Sequence, residues 1–292
     1  MRLAAWCLIA AAREDPAVRG EYRELARAAL LPWSASGIAY EALEVAEQAT
    51  YREQGWNAFG EGAGLNIRVQ VRQQHIYADV GKIAVLRPGR LRRWEGVLAY
   101  LVMVAREVEG VEFVVNLADR PKLARGCGGG RPQDAVAWPA PILLSFSTTP
   151  CHFDVPVPWA STLSPTTAWR GVDTTARWEA RESRVVWRGA CNSRTHVGDE
   201  TRGLSSRLRL IDESRGCPHL LDAQLTTLAS QCHSVTCEET APEVPLEDAV
   251  MRRAVVHVDG NGASGRLEEA LGSGAVVLRQ ESPFRPFFEP LL

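Results

Sequence analysis

A glycine-rich turn near the end of the chain has the residue types and the spacing of an anion-binding loop. Gly260, Gly262 and Gly265 fall at G-x-G-x-x-G spacing, between a run of β-branched residues and a stretch of good helix formers. Free backbone N–H groups at such a helix start, together with the positive end of its dipole, favour a phosphate. Arg266 adds a planar cation at the same place. The stretch 254–281 therefore predicts a βαβ unit that cradles a diphosphate.

The same stretch admits two other interpretations. A dinucleotide-binding fingerprint is one, since Glu281 lies about 20 positions beyond the glycines, like the ribose-binding acid of such a site. A nicotinamide-binding domain needs several more βα units after the first, and the sequence ends at Leu292. We therefore favour a sugar-nucleotide enzyme that holds its donor diphosphate late in the chain. A glycine turn that binds nothing is the third interpretation, because this motif alone is weakly specific.

Asp119 is a second candidate catalytic residue because of its position in the predicted fold. It follows a predicted buried strand, 111–116, in the sequence NLADRP, and ligands of α/β domains bind at the carboxyl ends of such strands. A carboxylate there can act as a general base. It can also cap the turn before Pro121, and position alone leaves both roles open.

Two further predicted strands end in polar side chains. Ser147 and Thr148 end the strand 141–147, where their hydroxyls can contact a sugar or a phosphate, or cap a turn. Arg188 lies at the end of the strand 184–189. Its guanidinium suits a bidentate contact with a phosphate, or a surface salt bridge.

The elements that must position these residues alternate between strands and helices. Residues 66–71 and 75–80 alternate in period two and predict a hairpin joined by 72–74. The apolar run 94–108 predicts a helix that leads into the strand 111–116, and this alternation indicates an α/β domain. The other predicted elements are helices over 21–31, 40–51, 204–215 and 246–253, an extended proline-rich loop over 151–159, and a polar loop over 232–244.

Composition places the chain among ordinary globular proteins with room for two domains. It has 292 residues, of which 46% are apolar and 23% charged. The net charge of −2 argues against a general nucleic-acid binder, which would carry a basic excess. No apolar run reaches the roughly 18–20 residues that span a bilayer, so we expect no membrane span in this chain.

The cysteines and the N-terminus bear on the compartment. Of seven cysteines, four lie between Cys191 and Cys237, which suits one or two disulfides in a secretory lumen and leaves at least one free thiol. The spacing of Cys232, His233 and Cys237 matches no common structural zinc site, so we expect no metal. The stretch from Leu3 to Ala12 resembles a short signal-peptide core, or forms an ordinary first helix.

Four blocks resemble glycosyltransferase family 90, which includes fungal capsule-associated proteins and Rumi-type protein O-glucosyltransferases. They occur in the family's order, and the resemblance extends from about Gly37 to Leu292. Any one block is weakly specific, whereas four in the right order are strongly so. The blocks are NLADRP (Asn116 to Pro121), LSFSTTPCHFDVPVPW (Leu144 to Trp159), VWRGACNSR (Val186 to Arg194) and the final segment from His257 to Leu292.

The resemblance implies a GT-B fold, in which two Rossmann-like domains face each other across a cleft. We place these domains at residues 1–180 and 181–292, the second shortened at its C-terminus. It also implies inverting transfer of glucose or xylose from a UDP-sugar to a hydroxyl of a protein or glycan. The family works without a metal or other cofactor, in the lumen of the endoplasmic reticulum or Golgi. The alternatives are a catalytically inert relative that binds a glycan or partner, and the NAD-dependent oxidoreductase.

Roles carry over from the family to the matching positions of this sequence. Asp119 corresponds to the catalytic base, although Ala118 stands where many relatives have arginine. Trp159 is followed by ASTLSP where relatives have an aromatic-rich segment. The implied nucleotide-sugar contacts are Ser147 and Thr148 for the donor, Arg188, Gly189, Ser264, Gly265 and Arg266 around the diphosphate, and Glu281 and Ser282 beside the nucleoside.

Overall fold

The computed structural model describes residues 24, 46, 65–104, 110–123, 142–158, 177–191, 206–227, 240–244, 248 and 251–292. The chain forms two compact units. The first comprises Met1–Pro165 and Pro283–Leu292, and the second comprises Thr166–Ser282. The sequence places the boundary at 180/181 instead. Residues 159–176 lie outside the described ranges, so that boundary stays a prediction.

The first unit is built on a mixed five-stranded sheet with the order β2-β1-β3-β4-β5. Strand β1 pairs antiparallel with β2 and β3, whereas β3, β4 and β5 run parallel. The predicted hairpin is confirmed, and its turn residues Gln73 and Gln74 have φ values of 49° and 61°, as a type I′ turn requires. The strands are β1 (Asn66–Arg72), β2 (His75–Ala78), β3 (Val111–Asn116), β4 (Leu143–Ser145) and β5 (Val155–Pro156).

Two helices of the first unit follow the hairpin, α1 (Val80–Ala84) and α2 (Pro88–Val104). Helix α2 begins at Pro88, before the predicted start at residue 94. Proline is favoured in the first turn of a helix, so a helix can start there although the residues up to 93 are mostly polar. Its apolar side packs Trp94 and Leu101 against buried side chains of β1, β3 and β4. This core holds the carboxyl ends of β3 and β4, which carry the polar residues singled out above.

The second unit has a parallel four-stranded sheet with the order β7-β6-β8-β9. The predicted βαβ unit is confirmed, since α4 connects the parallel neighbours β8 and β9. Helix α3 packs on β6 and β7 around Trp187, Leu208 and Leu225. The elements are β6 (Val185–Ala190), α3 (Ser206–Gly216), β7 (Leu221–Thr227), β8 (Ala254–His257), α4 (Arg266–Gly272) and β9 (Val276–Arg279), with 3₁₀ turns at Trp178–Ala180 here and Glu289–Leu291 in the first unit.

Mixed α/β architecture is therefore confirmed, whereas several predicted elements are not tested. The predicted helices over 21–31 and 40–51 lie outside the described residues, apart from residues 24 and 46, which are helical. Most of the predicted loop 232–244 also lies outside them. The predicted helix 246–253 is wrong at its end, because residues 251–253 are not helical. Within the described ranges, no helix combines the length and the apolarity needed to cross a membrane.

Candidate active site

The turn after β3 is fixed by the side chain of Asn116. Its carboxamide donates to the Arg120 carbonyl at 2.6 Å and to the Ser145 hydroxyl at 3.0 Å. Its oxygen accepts from the Ala118 N–H at 2.9 Å. Asn116 is fully buried, so these bonds both satisfy a polar group in the core and give the turn one shape. The turn presents Asp119 at the carboxyl end of the sheet.

A buried carboxylate, that of Asp154, stabilises the same turn through hydrogen bonds. It accepts hydrogen bonds from the N–H groups of Lys122 and Leu123, the latter at 2.7 Å, and from the Ser145 hydroxyl at 2.6 Å. Burial raises the pKa of Asp154 to about 6, although the hydrogen bonds and the Lys122 charge act in the opposite direction. Asp154 thus ties the turn to the loop that follows β4.

The Asp119 carboxylate is paired with two arginines of α2. Arg90 forms two parallel hydrogen bonds to it, Nη1 to Oδ1 at 3.2 Å and Nη2 to Oδ2 at 3.1 Å. Arg93 donates from Nη2 to Oδ1. Both arginines also donate to the Leu117 carbonyl at 2.9 Å. The side chain of Asp119 remains 20% exposed, so the carboxylate is partly open to solvent.

The hydroxyl residues after β4 lie in the same unit. Ser147 is buried, and among the described residues its Oγ finds no hydrogen-bond partner. The backbone of Thr148 exchanges two hydrogen bonds with that of Arg285, at 2.9 and 2.8 Å. Segment 283–292 thus returns to the first unit and pairs with the strand end that carries both hydroxyls. An orphaned buried hydroxyl indicates a position where a ligand would complete the hydrogen bonding.

The glycine-rich turn of the second unit connects β8 to α4. Its backbone closes on itself through the Gly260 N–H, which donates to the Gly262 carbonyl at 3.1 Å. None of the three fingerprint glycines has a positive φ, whereas Gly274 does, with a φ of 67°. Helix α4 has only seven residues, so its dipole is small and the Arg266 guanidinium supplies most of the positive charge.

A cavity of about 260 Å³ lies beside this turn, entirely within the second unit. Arg188, Ser264 and Arg266 line it, and Arg266 donates to the Arg188 carbonyl. Its wall also includes His257, whose Nε2 lies 3.5 Å from Asp259 Oδ1, with both side chains buried. The other lining residues are six aliphatic side chains and four of other types. The aliphatic ones are Val186, Val244, Val255, Val256, Val258 and Ala270, and the others are Trp187, Glu243, Arg252 and Ser273. A cavity lined by arginines and by aliphatic side chains suits a phosphorylated organic ligand.

Arg188 carries a second interaction that bears on its role. Its guanidinium forms a fork with the Asp222 carboxylate of β7, at 3.1 and 2.9 Å. The hydrogen bond from Arg188 lowers the pKa of Asp222 below its usual value. The salt-bridge interpretation of Arg188 therefore describes this structure, and a phosphate contact would share the guanidinium with Asp222.

A comparison with models of protein families identifies the family of this chain. The model described as Glycosyl transferase family 90 matches residues 21–292. The chain belongs to glycosyl transferase family 90. No curated protein matches it in a sequence search. Membership implies that this family 90 protein is a glycosyltransferase, with a sugar donor and an acceptor as its substrates.

The predicted site residues of this family 90 chain fall into two groups, one in each unit. Asp119, Ser147 and Thr148 lie in the first unit, at the carboxyl ends of β3 and β4. Arg188, Ser264 and Arg266 come together around the cavity of the second unit. Gly189 and Gly265 adjoin cavity-lining residues in sequence, and Glu281 and Ser282 follow the carboxyl end of β9. Their functional roles stay predictions.

Sequence reasoning missed a buried arginine, Arg207, near the cavity of the second unit. Arg207 of α3 is buried and donates to the Asp259 carbonyl at 3.0 Å and to the Ala190 carbonyl at 2.7 Å. Burial, and next the charge of Arg266, lowers the pKa of Arg207 to about 10, so it stays protonated at neutral pH. In sequence it sits in a polar, arginine-rich helix without a distinguishing signal. Cys232, His233 and Cys237 lie outside the described residues, among which no three His, Cys, Asp or Glu side chains could hold a metal ion.

Gly189 of the family 90 motif has a packing role that a mutation can test. A Cβ built there lies 2.5 Å from Cζ2 of the buried Trp187 ring. We expect Gly189→Ala to lower the free energy of unfolding by about 1–3 kcal/mol, because the ring must move within a packed core. Gly216→Ala is the control, since a Cβ there meets nothing within 4 Å. Urea unfolding measures both, and equal stabilities for the two variants would contradict the packing role.

Proposed function

We propose that this chain is an inverting, metal-independent glycosyltransferase that moves glucose or xylose from a UDP-sugar to a hydroxyl of a protein or glycan. The two units then correspond to the two domains of a GT-B enzyme. The observation that carries the proposal is the convergence of Arg188, Ser264 and Arg266 on one cavity. They come from two separate sequence blocks, and both blocks resemble diphosphate-contacting segments of family 90.

The cavity fits the donor half of this reaction in its charge and its shape. Arg266 is held beside the cavity by its hydrogen bond to the Arg188 carbonyl, so little side-chain entropy is lost when it binds an anion. The aliphatic wall formed by Val186 and Val255 offers a surface for a nucleoside. In this proposal the arginines, with the N–H groups of Ser264 and Gly265, stabilise the charge that grows on the departing diphosphate.

The acceptor half of the reaction is assigned to Asp119. The carboxylate removes the proton of an acceptor hydroxyl as its oxygen attacks the anomeric carbon of the donor. The bond from that carbon to the diphosphate oxygen breaks on the opposite face, and UDP leaves with the electron pair. A single displacement of this kind inverts the configuration at the anomeric carbon.

We also propose that the protein works in the lumen of the secretory pathway. Cys191, which lies within the block from Val186 to Arg194, is disulfide-bonded, and disulfides persist in oxidising compartments. Cys151 and Cys217 form no disulfide bond. Mass spectrometry of the protein purified from its native compartment, with and without reduction, tests this assignment. A native protein with Cys191 unpaired would contradict it.

Calorimetric titration of the purified chain with UDP tests the proposed donor. We expect UDP to bind, with an affinity unchanged by a chelator, whereas NAD does not compete with it. Binding of NAD would instead favour the oxidoreductase. An absence of UDP binding would contradict the donor assignment.

Removing the Arg266 charge should weaken this binding selectively. We expect Arg266→Gln to raise the Kd for UDP by roughly 10- to 100-fold, because a hydrogen bond to a charged group contributes about 1.5–3 kcal/mol. Arg215→Gln is the matched control, since Arg215 lies in the same unit, is 71% exposed and pairs with Asp212. Equal affinities of the Arg266→Gln variant and the wild type for UDP would refute the role of Arg266 in binding the diphosphate.

A further inference from the structure

The two oxygens of the Asp119 carboxylate are held differently. Oδ1 accepts hydrogen bonds from both Arg90 and Arg93, whereas Oδ2 accepts one, from Arg90 Nη2 at 3.1 Å. No other described residue donates to Oδ2. An ionised carboxylate offers about four lone-pair sites on its two oxygens. Oδ2 therefore retains acceptor capacity, and the 20% exposure of the side chain gives a hydroxyl access to it.

Both arginines are themselves fixed at a second point. Each donates from Nη1 to the Leu117 carbonyl at 2.9 Å. Their spacing of three residues on α2 puts them on one helix face, and the Arg93 guanidinium also lies 5.9 Å from the centre of the Phe146 ring. The fork from Arg90 and the single hydrogen bond from Arg93 leave the Asp119 carboxylate few other orientations.

We propose that Arg90 and Arg93 are positioning residues that clamp Oδ1 and present Oδ2 of Asp119 as the proton acceptor. This inference rests on the proposed function. The proton of the acceptor hydroxyl passes to Oδ2, and the hydroxyl oxygen forms its bond to the anomeric carbon. The bond from that carbon to the diphosphate breaks, with its electron pair leaving on UDP. Asp119 then releases the proton to water, and the arginines stay protonated throughout.

If Arg90 and Arg93 only stabilised the fold, their substitution would have different effects from those expected of positioning residues. An ion pair that only attaches α2 to the turn would change stability, and with it the amount of active protein, without acting through Asp119. A positioning pair changes kcat through Asp119, because a small misplacement of a catalytic group costs up to about 100-fold in rate. The Michaelis constant for the donor would stay the same, because the donor contacts are unchanged.

Steady-state release of UDP from UDP-glucose, with a variant series, separates these cases. We expect Arg93→Gln to lower kcat by about 10- to 100-fold, with little change in KM for UDP-glucose. Arg93→Lys should restore part of the loss, because a lysine supplies one charged donor to Oδ1 but not the second contact. Arg92→Gln, on the exposed side of the same helix, is the control and should leave kcat unchanged.

A double-mutant cycle shows whether Arg93 acts through Asp119. In an Asp119→Asn background, Arg93→Gln should cause no further loss of kcat. Thermal unfolding identifies variants that fail to fold, and Arg90→Lys and Arg93→Lys then carry the test, since they keep the charge.

Three results would overturn the inference but not the proposed function. An Arg93→Gln kcat equal to that of the wild type, or an effect confined to KM, would do so while the proposed function stands. So would an equal loss in the Asp119→Asn background. Wild-type protein that releases no UDP would instead refute the proposed function, and the inference with it.

Discussion

The Asp119→Asn variant is expected to lose about 100- to 10,000-fold in kcat for sugar transfer, which is the range that general-base catalysis contributes. The carboxamide has almost the same shape as the carboxylate but cannot take up the hydroxyl proton. The Kd for UDP should stay the same, because the cavity that we assign to the donor diphosphate lies in the second unit. Steady-state kinetics and calorimetric titration of the same preparation measure the two quantities.

Asp79→Asn provides the matched control for this substitution. Asp79 caps α1 in the same unit, where its carboxylate accepts from the Lys82 N–H at 3.0 Å. Asparagine caps a helix about as well as aspartate, so this variant should keep both stability and activity. Normal transfer by Asp119→Asn would remove Asp119 from the mechanism, and a matching loss in Asp79→Asn would show that the effect is not specific.

Removal of the Asp154 carboxylate should have the largest effect on stability. Asp154→Ala leaves two buried N–H groups and a buried hydroxyl without their acceptor, so we expect a loss of about 3 kcal/mol in the free energy of unfolding at pH 7. Urea unfolding measures it, with Glu95→Ala on the exposed face of α2 as the control. A loss no larger than that of the control would contradict the role of the buried network.

The same substitution should change how stability depends on pH. Burial raises the pKa of Asp154 from 3.8 to about 6, so between these values the folded protein keeps a proton that the unfolded chain releases. The contribution of this group to stability is therefore full below about pH 4 and falls as pH rises through 6, by roughly 3 kcal/mol at 1.36 kcal/mol per pKa unit. The difference between wild type and Asp154→Ala should shrink over that range, and a constant difference would contradict the raised pKa.

Local patterns in the sequence predict the elements that frame the site. The hairpin follows from strict alternation in 66–71, and the βαβ unit follows from two β-branched runs around a glycine turn. Strand β7 was missed because LDAQLTT lacks a continuous apolar run. Only alternate residues such as Ala223 and Leu225 are buried there, and its parallel pairing with β6 supplies the rest of its stability.

The contacts that surround the candidate base depend on tertiary structure. Arg90 and Asp119 are 29 residues apart, and both Arg90 and Arg93 precede residue 94, where the sequence predicts the helix to begin. Similarly, Asp154 is one polar residue in a proline-rich loop, and nothing local indicates that it is buried against the turn after β3. Sequence identified residues by type and motif, whereas their partners depend on which elements the fold brings together.

Proton NMR of UDP-α-glucose turnover, with water as the acceptor and a chelator present, tests the central claim most directly. The inverting, metal-free mechanism predicts that β-glucose appears before α-glucose, that UDP appears at the same rate, and that Asp119→Asn nearly abolishes both. Release of α-glucose first, a requirement for an added divalent metal, or no release of UDP by the wild type would contradict it. The last result would favour a catalytically inert relative that binds a glycan or partner.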